Sequence, residues 1–79
     1  MAELGVGLIG TGFMGKTHAL AFGAVKAIMG DVPTPRLELL CDTPAAHAQK
    51  MADQFGFMRA TDNWRALVND ERVDIVSIT

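Results

Sequence analysis

The chain begins with a short apolar run, Leu4 to Ile9, that shows no polar alternation and stops at a cluster of glycines. That length and continuity suit a strand buried on both faces. Past the glycines the spacing becomes helical. Met14, Ala21, Val25 and Ile28 recur at intervals of seven, four and three, with His18 and Phe22 beside the stripe. Gly30 stands where a C′ residue belongs, and Pro33 and Pro35 forbid continuation, so a helix is predicted over about 13–29. Gly23 inside it costs about 1 kcal/mol relative to Ala. A second strand spans Arg36 to Asp42, with Leu37, Leu39, Leu40 and Cys41 as its apolar part. Asp42 or Thr43 then serves as N-cap of a second helix, with Pro44 at its first position. Ala45, Ala48, Met51, Ala52 and Phe55 form its stripe, and Gly56 closes it. Phe57 to Thr61 is a short third strand. Thr61-Asp62-Asn63 caps a third helix carrying Trp64, Leu67 and Val68, and Asn69 to Arg72 is a polar turn. Val73 to Thr79 is β-branched and reads as a fourth strand.

The order βαβαβαβ implies an α/β fold: a doubly wound parallel sheet with right-handed crossovers and strand order 3-2-1-4. Trp64 is expected to anchor the third helix to the sheet, and Met14, Met29, Met51 and Met58 to fill the core or its edge. The chain stops at an apolar strand with no closing helix, so the expectation is that residues 1–79 are the N-terminal part of a longer domain, incomplete at the C-terminus.

Composition narrows the function classes. With 79 residues there is room for one small domain, and 49 % apolar against 20 % charged residues is an ordinary globular balance. Seven basic and nine acidic side chains give a formal charge of −2, which argues against nucleic-acid binding through phosphate neutralisation. One cysteine, Cys41, cannot form an internal disulfide, so a cytoplasmic setting is expected. No apolar run approaches the roughly 20 residues of a membrane helix, and the N-terminus lacks the basic segment of a signal peptide. No cluster has metal-ligand spacing, and no Ser-His-Asp arrangement is visible.

Gly10-Thr11-Gly12-Phe13-Met14-Gly15 matches G-x-G-x-x-G, and it lies where that motif has a mechanism: after a strand, opening a helix, inside a βαβ unit. Gly10 permits the tight turn, Gly12 lets a diphosphate approach the backbone, and Gly15 lets helix and strand pack closely. The amides of Thr11, Phe13 and Met14 then lie at the helix N-terminus, where unpaired N–H groups and the helix dipole favour an anion. A ligand-free glycine turn is the plain alternative. Asp42, 27 residues past Gly15, stands where a Rossmann-type site places its ribose-binding acid. Its plain role is that of helix cap. No Arg or Lys follows in Thr43-Pro44-Ala45-Ala46, which favours NAD over NADP. His18 reads as a packing or hydrogen-bonding residue, His47 as an exposed one, Lys16 as a solvated surface cation, and Cys41 as a buried small hydrophobe.

Val6 to His18 (V-G-L-I-G-T-G-F-M-G-K-T-H) resembles the opening of the Gfo/Idh/MocA family, with its strand, glycine motif and His three residues past the last glycine. Leu39-Leu40-Cys41-Asp42, Phe55-Gly56, Thr61 to Leu67 and Val73 to Thr79 are similar to the regions that follow in that family. The resemblance implies an NAD(P)-dependent oxidoreductase acting on a sugar, cyclic polyol or related carbinol, homo-oligomeric at full length. It implies cofactor contacts from Gly10, Thr11, Gly12, Phe13, Met14 and Gly15 at the diphosphate, from Asp42 at the ribose, and from Ile78 and Thr79 facing the cofactor cleft. The family's catalytic Lys, in a Glu-Lys-Pro motif, lies beyond the fourth strand, so no catalytic residue is expected in this chain and the chain alone is expected to be inactive. A non-catalytic dinucleotide sensor would use the same residues. A methyltransferase also places a glycine-rich loop after its first strand, but the spacing of Gly10, Gly12 and Gly15 fits a dinucleotide better.

Overall fold

Parallel strands joined by helices bring every strand's C-terminal end to one end of the sheet, and the computed structural model has that form. It describes residues 3–30 and 33–79, with the side chains of residues 13 and 25–29 outside that description. The elements run β1 (Glu3–Ile9), α1 (Phe13–Met29), β2 (Thr34–Cys41), α2 (Ala45–Phe55), β3 (Arg59–Thr61), α3 (Trp64–Val68) and β4 (Ile75–Ile78). All neighbours are parallel, in the order β3-β2-β1-β4, as the alternation of elements implies.

The buried side chains form two groups that follow the alternation along β2. Leu8 and Leu40 pack with Ala19 of α1, with Ala48, Met51 and Ala52 of α2, and with Phe57. Leu39 and Cys41, on the other face, pack with Leu67 of α3, flanked by Ile9, Val73 and Val76. Leu37 belongs to the first group although strict alternation would place it with Leu39. A bulge explains this. Val6 pairs with Leu37 and Gly7 with Leu39, so Glu38 is the extra residue.

Glu38 is 2 % exposed and accepts from Arg36 Nε at 2.6 Å, Arg59 Nε at 2.9 Å and Arg72 Nε at 3.1 Å. Arg59 also grips Asp70 with two bonds of 2.8 Å. Burial pushes the Glu38 carboxyl up, and the guanidiniums of Arg36, Arg59 and Arg72 more than reverse this, leaving it below its ordinary value. A buried carboxylate is tolerated here because cations reach it from β2, from β3 and from the turn after α3.

Several expectations are corrected. Met14 and Met58 are 55 % and 68 % exposed, and Ala21 is also exposed. The face that α1 turns to the sheet is built from the small residues Gly15 and Ala19, four apart, so the stripe of larger side chains is not the buried one. The expected core positions Val25, Ile28 and Met29 lie outside the described side chains. Trp64 is 52 % exposed, with the Arg65 guanidinium stacked 4.9 Å from its ring centre. Leu67 anchors α3 instead: it occupies the room over Gly7, where a Cβ would stand 2.7 Å from Leu67 Cδ2. Helix α2 starts at Ala45 with Pro44 as its N-cap and no side-chain cap, after a cis Thr43–Pro44 bond. Neither Asp42 nor Thr43 caps it. Asn63 does cap α3, accepting from Arg65 N at 3.0 Å and Ala66 N at 3.4 Å. Strand β4 starts at Ile75 rather than Val73, because Asp74 is tied to Gly5 through its own N–H and its carboxylate, both at 2.7 Å. Among the described residues, no helix is long and apolar enough to cross a membrane.

Two outcomes follow from this packing. Leu67→Ala should lower unfolding free energy by about 2–5 kcal/mol, read as a shift in urea midpoint, because it empties a buried site that the sheet cannot close. The second concerns acid. The Arg59 guanidinium holds the Asp70 carboxyl down, from 3.8 to about 2. Its contribution is therefore complete above the unfolded value and is lost as pH falls through the folded one. Urea midpoints should drop between about pH 4 and pH 2, and Asp70→Asn should flatten that part of the profile.

Candidate functional site

The site residues that the sequence singles out converge where β1 ends. Gly10 turns the chain with φ 96°, and its N–H donates to Cys41 O at 2.9 Å, tying the turn to the end of β2. A Cβ on Gly15 would lie 2.3 Å from the Gly10 carbonyl oxygen, so only glycine lets α1 approach β1 this closely. A Cβ on Gly12 would meet nothing within 4 Å. Gly12 therefore faces open space at the start of α1, where first-turn amides have no carbonyl behind them. No acidic residue occupies that first turn. The three glycines thus divide the work as their spacing implies: turn, opening and close contact.

Thr11 is 5 % exposed, and its hydroxyl donates to Asp42 Oδ2. Asp42, just past β2, also accepts from the Thr43 N–H through Oδ1 at 2.7 Å. Partial burial pushes this carboxyl up, and the Thr11 hydroxyl, the Thr43 N–H and the nearby His47 bring it below its ordinary value. Asp42 is thus an ionised, oriented acceptor about a quarter exposed, with a side-chain accessibility of 25 %.

His47, read from the sequence only as exposed, takes part in this arrangement. Its Nε2 lies 3.0 Å from Thr11 Oγ1 and 3.5 Å from Asp42 Oδ2. Its position in the first turn of α2, the helix that follows β2, was the available signal. At the other side of β1, the Thr79 N–H donates to Ile9 O at 2.9 Å, and its hydroxyl lies 3.2 Å from both Ile9 O and Gly10 O. Thr79 braces the glycine turn, and Ile78 is 74 % exposed beside it. Met14 is exposed at the start of α1, and the side chain of Phe13 lies outside the described residues. His18, on α1, makes a 2.7 Å hydrogen bond through Nδ1 with Ser77 Oγ of β4, a connecting role as expected. Cys41 is buried, and its thiol is pushed up by that burial and by the Asp42 and Asp62 carboxylates, the opposite of what a nucleophile needs. Among the described residues, no group of three His, Cys, Asp or Glu side chains could hold a metal ion.

What assembles is an anion-receptive helix start beside a hydrogen-bond acceptor fixed at the end of the neighbouring strand. That pairing suits a ligand carrying a diphosphate next to a diol. Residues 4–79 match the profile of a family described as an oxidoreductase family with an NAD-binding Rossmann fold. Levoglucosan dehydrogenase of Pseudarthrobacter phenanthrenivorans is 37 % identical over 79 residues, 99 % of this chain and 20 % of that protein. The structure of a levoglucosan dehydrogenase with NADH and L-sorbose superposes with a TM-score of 0.96 at 35 % identity, over 100 % of this chain and 21 % of its own. An NAD-binding oxidoreductase from Klebsiella pneumoniae gives 0.94 at 43 % identity, over 99 % of this chain and 21 % of its own. The chain spans about a fifth of the length of these relatives. With the profile matched from Leu4 to Thr79 and the glycine turn built as that fold requires, the chain belongs to the Gfo/Idh/MocA oxidoreductase family.

Proposed function

We propose that residues 1–79 bind a nicotinamide dinucleotide, NAD in preference to NADP, as the N-terminal cofactor-binding part of a dehydrogenase for a sugar, inositol or related carbinol. The observation that carries this reading is the open space at Gly12, at the start of α1, next to the ionised Asp42. The residues fit the cofactor. Gly10, Thr11, Gly12, Phe13, Met14 and Gly15 present the main chain of the turn to the diphosphate, and α1 adds its dipole, worth up to about 2 kcal/mol when partly buried. Asp42 accepts hydrogen bonds from the adenosine ribose hydroxyls and repels a 2′-phosphate. Ile78 and Thr79 stand at the end of β4, against the far side of the glycine turn, and border the cleft.

Held there, the cofactor would supply a hydride acceptor for the substrate's carbinol carbon, and oxidation to the carbonyl would need a base for the hydroxyl proton. This chain's share of that reaction is to hold and orient the cofactor. The base that takes the hydroxyl proton is assigned to chain outside residues 1–79. Among the described residues near the glycine turn, His18 is engaged by Ser77, His47 and Asp42 by Thr11, and the Cys41 thiol is buried. The levoglucosan dehydrogenase structures with NADH and with NADH plus L-sorbose support both the cofactor and the substrate class. A reducing, cytoplasmic compartment fits the single buried thiol.

Calorimetry with each coenzyme tests the reading. Asp42→Ala should weaken NAD binding about 10–100-fold, the loss of charge-assisted bonds to the diol, and should narrow the gap between NAD and NADP. Gly12→Val should leave the melting temperature within about 2 °C, since its side chain enters open space, and should abolish NAD binding by filling the diphosphate's place. Binding that survives Gly12→Val would place the diphosphate elsewhere. Residues 1–79 by themselves should form no NADH from any sugar or polyol.

A further inference from the structure

The contacts around Asp42 carry an inference that rests on the proposed NAD site and deepens it. A ribose-binding carboxylate must do more than be present. Its two oxygens must be held in the plane that meets two adjacent hydroxyls, because an acceptor that turns freely loses directionality and must be ordered on binding. On the described side chains, Asp42 is held from two sides. Oδ1 accepts from the Thr43 N–H at 2.7 Å, and Oδ2 accepts from the Thr11 hydroxyl.

The direction of the hydrogen bonds can be worked out by elimination. An ionised carboxylate only accepts, so the Thr11 proton points at Asp42. The Thr11 oxygen then presents a lone pair to His47 Nε2, 3.0 Å away, and Nε2 must carry the hydrogen. The result is a one-way chain: His47 Nε2–H to Thr11 Oγ1–H to Asp42 Oδ2. It links the first turn of α2, the glycine turn and the end of β2. Thr11 is 5 % exposed, whereas the imidazole is 43 % exposed, so the chain runs from solvent into a closed position beneath the carboxylate. Among the described residues, Asp42 is the one carboxylate within ion-pair distance of His47.

We propose that Thr11 and His47 are positioning residues that orient Asp42 and thereby set the preference for a ribose 2′-hydroxyl over a 2′-phosphate. Thr11 acts through its hydroxyl as well as through its main chain in the glycine turn. His47 holds that hydroxyl in the donating orientation. The site's selectivity then depends on residues from three separate segments, and a carboxylate at position 42 is not sufficient for it.

A double-mutant cycle on NAD and NADP affinity tests this. Thr11→Val keeps shape and removes the donor. It should weaken NAD binding about tenfold and shrink the NAD-to-NADP ratio by a similar factor, because a bond to a charged acceptor is lost. His47→Ala should produce a smaller loss in the same direction. Thr11→Ser and His47→Gln restore a hydroxyl and an N–H donor and should recover most of the ratio. In the Asp42→Ala background, Thr11→Val and His47→Ala should have no further effect on the ratio, which a merely destabilising substitution would not reproduce. If the native protein binds NAD and Asp42→Ala weakens it, but Thr11→Val leaves the ratio unchanged or acts equally without Asp42, the positioning role is wrong and the NAD site stands. If the native protein binds neither coenzyme, the NAD site and this inference fall together.

Discussion

The close contact between Gly15 and the Gly10 carbonyl is the constraint on which the rest of the site depends. Any side chain at position 15 would bring its Cβ to 2.3 Å from that oxygen, so helix and strand could not meet as they do. With glycine there, and Ala19 one turn further on, α1 lies over β1 and β2 along a seam of small residues. That seam fixes where the helix starts and aims its first amides at the end of the sheet where the strands finish. The Gly10 turn carries the same constraint sideways. Its N–H reaches Cys41 O on β2, and its carbonyl lies against the Thr79 hydroxyl after β4. The ends of β1, β2 and β4 are thereby gathered around one turn.

The bulge at Glu38 sets the phase of the second half of the site. Beyond it, Leu40 faces α1 and α2 while Leu39 and Cys41 face α3. Asp42, two residues after Leu40, continues on the side of α1 and α2, where Thr11 and His47 meet it. A slip of one residue would exchange these faces. Glu38 would then lie under apolar helices, away from its three guanidinium partners, with a desolvation cost that nothing offsets. The ion cluster around Glu38 thus holds the register that delivers Asp42 to the other end of β2. Structure and site are coupled through that strand.

Much of this was legible in the chain because it is local. Strand and helix alternation, the glycine motif in its βαβ context and the Asn63 cap each involve residues a few positions apart, and all are found as expected. The roles of Gly10, Gly12 and Gly15 follow from what each lacks. What escaped prediction depends on partners distant in sequence. The exposure of Met14 and Trp64 follows from small residues taking the helix–sheet contacts, at Gly15 and Ala19 for α1 and over Gly7 for α3. The bulge responds to arginines 21 and 34 residues after Glu38. His47 meets Thr11 across 36 residues, and periodicity on α2 says only that it is not on the buried stripe. The cap role that the spacing offers to Asp42 or Thr43 goes instead to Pro44, which leaves both Asp42 oxygens for Thr43 and Thr11.

One electrostatic difficulty is resolved by this arrangement. A carboxylate and a diphosphate in one cleft repel each other, and both are attracted to helix N-termini. The competition is limited by assigning them different donors. Asp42 is served by the Thr43 N–H and by both the hydroxyl and the N–H of Thr11, all of them ahead of or apart from the first turn of α1, which begins at Phe13. Helices α1 and α2 carry no acidic residue in their first turns, so the amides that open α1 keep their full attraction for an incoming anion. On the proposed reading, the carboxylate's charge stands next to the ribose 2′ substituent, where a second anion would meet it directly. On that reading, selectivity against a 2′-phosphate and affinity for the diphosphate are compatible because the donors that hold the carboxylate lie outside the first turn of α1.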